Sequence, residues 1–350
     1  MKQPFLTGVI EGFYGRPWPH EVRLAYAGFL ATAGFNTYLY APKSDAVLRR
    51  DWRGRWDERE WRELRALADT YRSRGLCWGV GLSPMELYTD YGAPQRAALK
   101  QKVNYLLDLG ISMLAILFDD MPGAIGDLAA RQAEIMSDVA HWAGDTRLVM
   151  CPTYYSHDPL LMKYFGDMPA GYWQDLGANL PVETGIFWTG NLVCSTSVSV
   201  ADIADINRAF GRDVMLWDNY PVNDGASRAD FLYLEPLAER DRGLSDLLDG
   251  HLCNPMNEGL LSLPSLSGLA SLYATGELDD AVLAQCLGPA CWEQLKADAQ
   301  LFATVGLQGM GDERREELLA RYAGIEGPAA GEVLGWLRGE YAFDPACLTG

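Results

Sequence analysis

The sequence predicts an α/β fold, a (β/α)8 barrel of the TIM type followed by a small helical C-terminal module. Eight short apolar segments alternate with amphipathic stretches, and over about 250 residues this is the pattern of such a barrel. After residue 277 the helical periodicity continues without strand candidates. A doubly wound open sheet is the alternative, but GFYG after the first strand is not a GxGxxG phosphate loop.

The predicted strands are continuous apolar runs, as expected for strands buried on both faces: 8–13, 36–42, 77–84, 113–120, 148–153, 186–190, 214–219 and 250–255. Helical periodicity fills the gaps between them, at 20–34, 57–74, 93–109, 127–143, 158–178, 199–211 and 228–248. The segment 263–273 fits the last barrel helix or the connection to the module. We therefore expect a catalytic barrel over 1–276 and a helical module over 277–350.

Composition excludes several classes of function. The 350 residues carry 29 Lys and Arg against 47 Asp and Glu, a net charge of −18, which argues against nucleic acid or an anionic membrane as partner. The N-terminal sequence lacks the regions of a signal peptide, and the seven cysteines lack paired spacing. Both features predict a cytoplasmic protein in a reducing compartment. The four histidines have no metal-ligand spacing, so we predict neither a metal nor a cofactor.

The most informative segment is ILFDDMPG, residues 116–123, in which an apolar run leads directly into Asp119 and Asp120. Two carboxylates at the end of a buried strand are costly, and in a barrel they lie on the rim that holds active sites. A loop-capping Asp followed by a helix N-cap is the structural explanation for the same pair. The residues at the other strand ends are needed to decide between an active site and a structural role for this pair.

Polar and aromatic residues end five further strands: Glu11 to Tyr14, Lys43, Tyr154 and Tyr155, Trp217 to Asn219 with Asn223 and Asp224, and Asn254. In a barrel these positions converge on one rim. Carboxylates and amides can bind pairs of hydroxyl groups, and an aromatic ring can stack on a sugar. Each residue alone has a structural explanation, such as a turn or a core position. Together they predict a site for a neutral, hydroxyl-rich ligand.

Seven motifs resemble, in order, those of family 84 glycoside hydrolases, the β-N-acetylglucosaminidases that include protein O-GlcNAcase: GVIEGFYGRPW (8–18), NTYLYAPK (36–43), LAILFDD (114–120), CPTYY (151–155), FWTG (187–190), WDNYPVND (217–224) and CNPMN (253–257). The resemblance covers about residues 6–275. It implies a retaining mechanism without a metal, and Asp119 and Asp120 as the catalytic pair. It also implies seven residues around the sugar: Gly12, Lys43, Tyr155, Trp217, Asn219, Asp224 and Asn254. Met85 and Gly225 depart from the family pattern and put the aglycone preference in doubt.

The adjacency of the two aspartates favours one mechanism. Ordinary glycosidases place two carboxyl groups on opposite sides of the bond, about 5–5.5 Å or 6.5–9.5 Å apart. Neighbouring residues, with α-carbons about 3.8 Å apart, reach the ligand from the same side. They suit a reaction in which the substrate's own 2-acetamido oxygen attacks the anomeric carbon and forms an oxazoline. We assign Asp119 to the acetamido N–H and Asp120 to acid–base catalysis.

Among glycosidases, the alternative is an endo-acting hyaluronidase. Two alternatives belong to other classes: a non-catalytic glycan-binding barrel, and a magnesium site for phosphoryl chemistry, which would require further carboxylates. The expected substrate is an N-acetylglucosamine-bearing glycoconjugate or glycoprotein. The sequence leaves open the natural aglycone and the gluco or galacto epimer. A homodimer through the helical module is possible.

Overall fold

The computed structural model describes residues 4–276 and 278–349. Eight parallel strands form a closed barrel in chain order, and β1 pairs with both β2 and β8. The strands are Leu6–Glu11 (β1), Thr37–Tyr40 (β2), Cys77–Leu82 (β3), Met113–Leu117 (β4), Arg147–Cys151 (β5), Gly185–Trp188 (β6), Val214–Asp218 (β7) and Leu248–Cys253 (β8). The predicted barrel is confirmed.

The strands are buried on both faces, which explains their continuous apolar sequence. Every residue of β4 is fully buried, from Met113 to Leu117. One face of each strand fills the barrel, and the other packs against the surrounding helices. Charged residues therefore occur mainly at the carboxyl ends of the strands, as Glu11 does in β1 and Asp218 in β7.

Eight helices surround the barrel: His20–Thr32 (α1), Glu58–Ser73 (α2), Ala93–Leu107 (α3), Leu128–Ala143 (α4), Pro159–Phe165 (α5), Tyr172–Asn179 (α6), Val200–Phe210 (α7) and Leu263–Tyr273 (α8). Local sequence fixes several of their ends. Asp57 and Glu60 form a reciprocal capping box at the start of α2, as Ser199 and Asp202 do at α7, satisfying backbone N–H groups that a helix leaves free. Within the described residues, none of the helices combines the length and apolarity needed to cross a bilayer.

Two predicted helices differ from the structure. The stretch 158–178 forms two short helices, α5 and α6, because Gly166 and Gly171 adopt positive φ angles of 92° and 73° between them. Such angles are incompatible with a continuous helix.

The stretch 228–248 was predicted as a helix and that prediction is wrong. Among its residues only the 3₁₀ turn Leu244–Asp246 is helical. Pro236 prevents a continuous helix, and the backbone instead bonds to neighbouring elements. The N–H of Leu237 donates to Ser265 O at 2.9 Å, and Glu239 O accepts from Val198 N at 3.0 Å. Contacts with the rest of the molecule therefore override the apolar periodicity.

Helices continue after the barrel, as predicted: Asp280–Leu287 (α9), Pro289–Thr304 (α10), Gly306–Gly309 (α11), Gly311–Ala323 (α12) and Pro328–Leu337 (α13). Glu332 of α13 accepts hydrogen bonds from the backbone N–H groups of Leu260 and Leu261, both to Oε2, at 2.9 and 3.1 Å, and so joins these helices to the barrel. The predicted domain boundary, residue 277, lies outside the described residues. The division into barrel and module stays a prediction.

Candidate active site

A cavity lies at the carboxyl ends of the strands, the position of active sites in this fold. All nine residues that the family resemblance implies for the site line this cavity: Gly12, Lys43, Asp119, Asp120, Tyr155, Trp217, Asn219, Asp224 and Asn254. The structure thus brings these nine residues together; the role of each residue remains a prediction.

Asp119 and Asp120 both reach the cavity because the chain leaves strand geometry between them. Consecutive side chains of a strand point to opposite faces, so two adjacent carboxylates in a regular strand would diverge. The strand β4 ends at Leu117, and Asp120 adopts a left-handed conformation with φ 58°. Aspartate is one of the few residues other than glycine that tolerate this conformation, because its short polar side chain can form local hydrogen bonds.

Asp119 is buried, and its two carboxylate oxygens have different surroundings. Its Oδ2 atom forms an ion pair with Lys43 Nζ. Its Oδ1 atom is inaccessible to solvent and has no hydrogen-bond partner within residues 4–276 and 278–349. Buried polar atoms almost always have a partner. The free oxygen in the wall of a cavity is therefore suited to accept a hydrogen bond from a ligand.

Two tyrosine hydroxyls hold Asp120. Tyr14 donates to Asp120 Oδ2 at 2.5 Å, and Tyr155 donates to Oδ1 at 3.0 Å. Burial, and next the negative charge of Asp120, raise the pKa of both tyrosines well above 10. Both hydroxyls therefore keep their protons at neutral pH and orient the carboxylate, which is less buried than that of Asp119.

Asp224 and the Asn219–Asn254 pair form the opposite wall. Asp224 Oδ2 accepts from the backbone N–H of Tyr14 at 2.7 Å, and burial raises its pKa to about 6. Asn254 accepts from Gly12 N at 3.2 Å and donates to Asn219 Oδ1 at 2.9 Å. These bonds connect the loops after β1, β7 and β8, and they fix the orientation of the amide groups.

Gly12 gives Trp217 the space it occupies. A Cβ atom at position 12 would lie 2.4 Å from Trp217 Cζ2, far inside van der Waals contact. The ring also lies 5.5 Å from Lys43 Nζ, within the range of a cation–π interaction. Any side chain at position 12 would displace Trp217, so the glycine is required by the shape of the cavity.

Other polar residues at the strand ends have structural partners outside the cavity. Glu11 is fully buried and pairs with Arg23 at 2.6 Å, and Tyr154 donates to Gly166 O at 2.7 Å. Asp218 bonds to Arg240 and His251. Although burial alone would raise the pKa of Asp218, these hydrogen bonds hold it below its ordinary value. Such residues support the loops and do not face the ligand.

Tyr14 was predicted at the rim but not assigned to the sugar; it lines the cavity, and its bond to Asp120 depends on the folded loop. Seven residues in the cavity wall were not predicted: Cys151, Thr189, Val193, Cys194, Val222, Cys347 and Thr349. No sequence signal identified Cys347 and Thr349, which lie more than 200 residues after Asp120. Met85 and Gly225, expected near the rim, are outside the wall of this cavity.

The described residues provide no alternative metal centre. Within them, no group of three or more His, Cys, Asp or Glu side chains is arranged to hold a metal ion. Two adjacent carboxylates in a barrel pocket, lined by amides and an aromatic ring, fit a glycoside hydrolase. The chain belongs to the β-N-acetylglucosaminidase family, whose model matches residues 7–284.

Individual proteins of known identity agree with this assignment. The chain is 30% identical over 278 residues to the protein O-GlcNAcases of Rattus norvegicus and Mus musculus, covering 77% of this chain. It spans only 30% of the length of these relatives. The structure of a mutant O-GlcNAc hydrolase from Thermobaculum terrenum superimposes with a TM-score of 0.76 at 27% identity, covering 96% of this chain and 81% of that one.

Proposed function

We propose that the protein is a retaining exo-β-N-acetylglucosaminidase that releases N-acetylglucosamine from a glycoconjugate or glycoprotein by substrate-assisted catalysis. One observation carries the proposal. The buried Oδ1 atom of Asp119 lacks a partner within the described chain, while Lys43 holds the other oxygen. The 2-acetamido N–H of the substrate would supply the missing donor.

In the first step the acetamido carbonyl oxygen attacks the anomeric carbon as the bond to the leaving oxygen breaks. Asp119 accepts the amide N–H and balances the positive charge that develops on it. Asp120 gives a proton to the leaving oxygen. In the second step Asp120 removes a proton from water, which attacks the anomeric carbon and opens the oxazoline. Two inversions at one carbon give net retention.

The hydrogen-bonded wall formed by Asp224, Asn219 and Asn254 supports exo rather than endo action. Asp224, Asn219 and Asn254 are connected to one another or to the loop after β1 by hydrogen bonds. A sugar seated between them and Asp119 would have its far hydroxyls enclosed, leaving no path for a further sugar on that side. A hyaluronidase-type groove needs such a path.

The test compares aryl glycosides that share one leaving group and carry acetyl, fluoroacetyl, difluoroacetyl or trifluoroacetyl on the amide. Because each fluorine weakens the carbonyl oxygen as a nucleophile, kcat/KM should fall in that order. We expect roughly tenfold or more across the series, about 1.4 kcal/mol in the barrier. Asp224→Asn serves as control, since it changes sugar binding without contacting the amide and should keep the slope. A flat response would restore a protein nucleophile.

A further inference from the structure

Arg49 contacts one of the two tyrosines that hold Asp120. Its guanidinium carbon lies 4.9 Å from the centroid of the Tyr14 ring, within the range of a cation–π interaction. The hydroxyl of the same ring donates to Asp120 Oδ2 at 2.5 Å. Arg49 itself is outside the wall of the cavity. The Tyr14 ring thus connects a cation that does not reach the ligand to the carboxyl group proposed as the acid.

The loop after β2 fixes the backbone of Arg49. The residue follows a 3₁₀ turn, Ala46–Leu48, and Asp45 caps this turn by accepting a backbone N–H within it at 2.9 Å. Leu48 is buried, and its carbonyl oxygen accepts from Ser83 N at 2.8 Å, which joins this loop to the one after β3. The half-buried side chain of Arg49 therefore extends from an anchored backbone.

The positive charges near the two aspartates have different partners. Lys43 forms an ion pair with Asp119, whereas the charge of Arg49 acts on Tyr14 and on Asp120. Burial is the largest cause that raises the pKa of Tyr14, and the charge of Arg49 opposes this rise. A nearby cation favours negative charge on the phenol oxygen, and it therefore makes the hydroxyl a stronger hydrogen-bond donor.

We propose that Arg49 is a positioning residue: by stacking on Tyr14 it holds the Tyr14 hydroxyl on Asp120, and so orients Asp120 for proton transfer to the leaving oxygen. This rests on the proposed function, because it takes Asp120 as the acid. Tyr155 holds the other oxygen of Asp120 at 3.0 Å. Loss of Arg49 should therefore loosen the carboxyl group without releasing it, and should cost less than removal of the acid itself.

The test is a double-mutant cycle in the full chain, with Arg49→Met, Tyr14→Phe and the two combined. Methionine keeps an unbranched, flexible side chain at position 49 but removes the cation. For each variant, kcat/KM is measured with aryl N-acetyl-β-glucosaminides whose leaving groups range from dinitrophenol to unsubstituted phenol, since only a poor leaving group needs the proton of Asp120. Arg50→Met is the matched control, because it removes the same charge at the adjacent, exposed position. Arg49→Lys keeps a cation at position 49.

We expect Arg49→Met to lower kcat/KM roughly tenfold for the phenyl glycoside and less than about twofold for the dinitrophenyl glycoside. Tyr14→Phe should show the same dependence on the leaving group. In the Tyr14→Phe background, Arg49→Met should add less than about twofold for the phenyl glycoside, because two residues that act through one contact are not additive. Arg49→Lys should recover most of the loss, and Arg50→Met should match the wild type.

Three results would each overturn the positioning role while the wild type remains active. They are equal losses for the two leaving groups, an Arg49→Met loss of the same size with and without the Tyr14 hydroxyl, and no recovery by Arg49→Lys. A wild type that hydrolyses neither glycoside would instead reject the proposed function, and this inference with it.

Discussion

Asp224 offers the sharpest test of the closed sugar pocket. Its carboxylate has one oxygen bonded to Tyr14 N at 2.7 Å, and the other remains for sugar hydroxyls. Asp224→Ala removes the bonds to the sugar and leaves the N–H of Tyr14 without its acceptor. Hydrogen bonds to a charged group contribute about 1.5–3 kcal/mol, and an orphaned partner adds to the loss. We expect kcat/KM for an aryl N-acetylglucosaminide to fall by roughly 2–4 kcal/mol, about 30- to 1000-fold.

Asp224→Asn separates the two contributions. The amide oxygen can still accept from Tyr14 N, so Tyr14 and its bond to Asp120 stay in place, and only the charge is lost. The fall in kcat/KM should then be nearer tenfold, about 1.4 kcal/mol. If Asp224→Ala leaves hydrolysis of the aryl glycoside unchanged, the closed pocket is wrong and a groove is favoured.

The pH profile gives an independent check on the same residue. Burial raises the pKa of Asp224 to about 6, so below that pH the free enzyme loses the charged acceptor. Since kcat/KM reports groups of the free enzyme, it should fall as the pH drops through about 6. Asp224→Asn should lack this acid limb. An identical limb in the variant would assign it to another group and refute this part of the reasoning.

Two further predictions concern the catalytic pair and the helices after the barrel. Asp120→Asn retains a residue type tolerant of the left-handed backbone. Its rate of hydrolysis should fall roughly 10²–10⁴-fold with a serine or sugar leaving group, whereas the rate of the first step should fall little with an acidic phenol. Azide should restore turnover with retained configuration. Asp119→Asn should slow good and poor leaving groups alike without azide rescue; identical behaviour of the two variants would refute the assignment of roles. Burial raises the pKa of Glu332 to about 8 from an ordinary value near 4.5, so its contribution to stability is fully present below pH 4.5 and is lost as the pH rises through 8. The amide oxygen of Glu332→Gln can accept from both Leu260 and Leu261 and does not titrate. Between pH 4 and pH 9 the free energy of unfolding of the wild type should therefore fall relative to that of the variant by on the order of 4 kcal/mol, measured by urea unfolding. Parallel pH profiles of the two proteins would refute this.

The strand ends were predictable because topology alone brings them together. Once the sequence gives eight buried strands in one parallel barrel, residues after every strand must meet at one rim. Lys43, Asp119 and Asn254, separated by up to 211 positions, could thus be assigned to one cavity without knowledge of any contact. The prediction needed only the strand boundaries, which the apolar runs mark well.

Contacts that depend on the shape of loops could not be predicted in this way. The apolar residues of 228–248 fit a helix, yet that segment is mostly irregular, because its backbone bonds to Val198 and Ser265. Propensity is a weak guide where neighbouring elements offer such partners. The same limit explains why Tyr14 was recognised as part of a motif while its bond to Asp120 was not.

Thr349 is the last described residue of the chain that lines the cavity, and reasoning from strand ends could not identify it. Thr349 follows five helices that no barrel rule connects to the rim, and its position depends on how α13 docks through Glu332 onto Leu260 and Leu261. Docking brings the end of α13 close to the loop after β1, where Arg16 meets Glu340 and Tyr341. From there residues 341–349, which turn at Asp344 to Cys347, return to the cavity, where Thr349 Oγ1 lies 3.5 Å from the Tyr155 hydroxyl. The chain after α13 thus contributes Cys347 and Thr349 to the cavity wall, because the docking of α13 directs it back to the barrel rim.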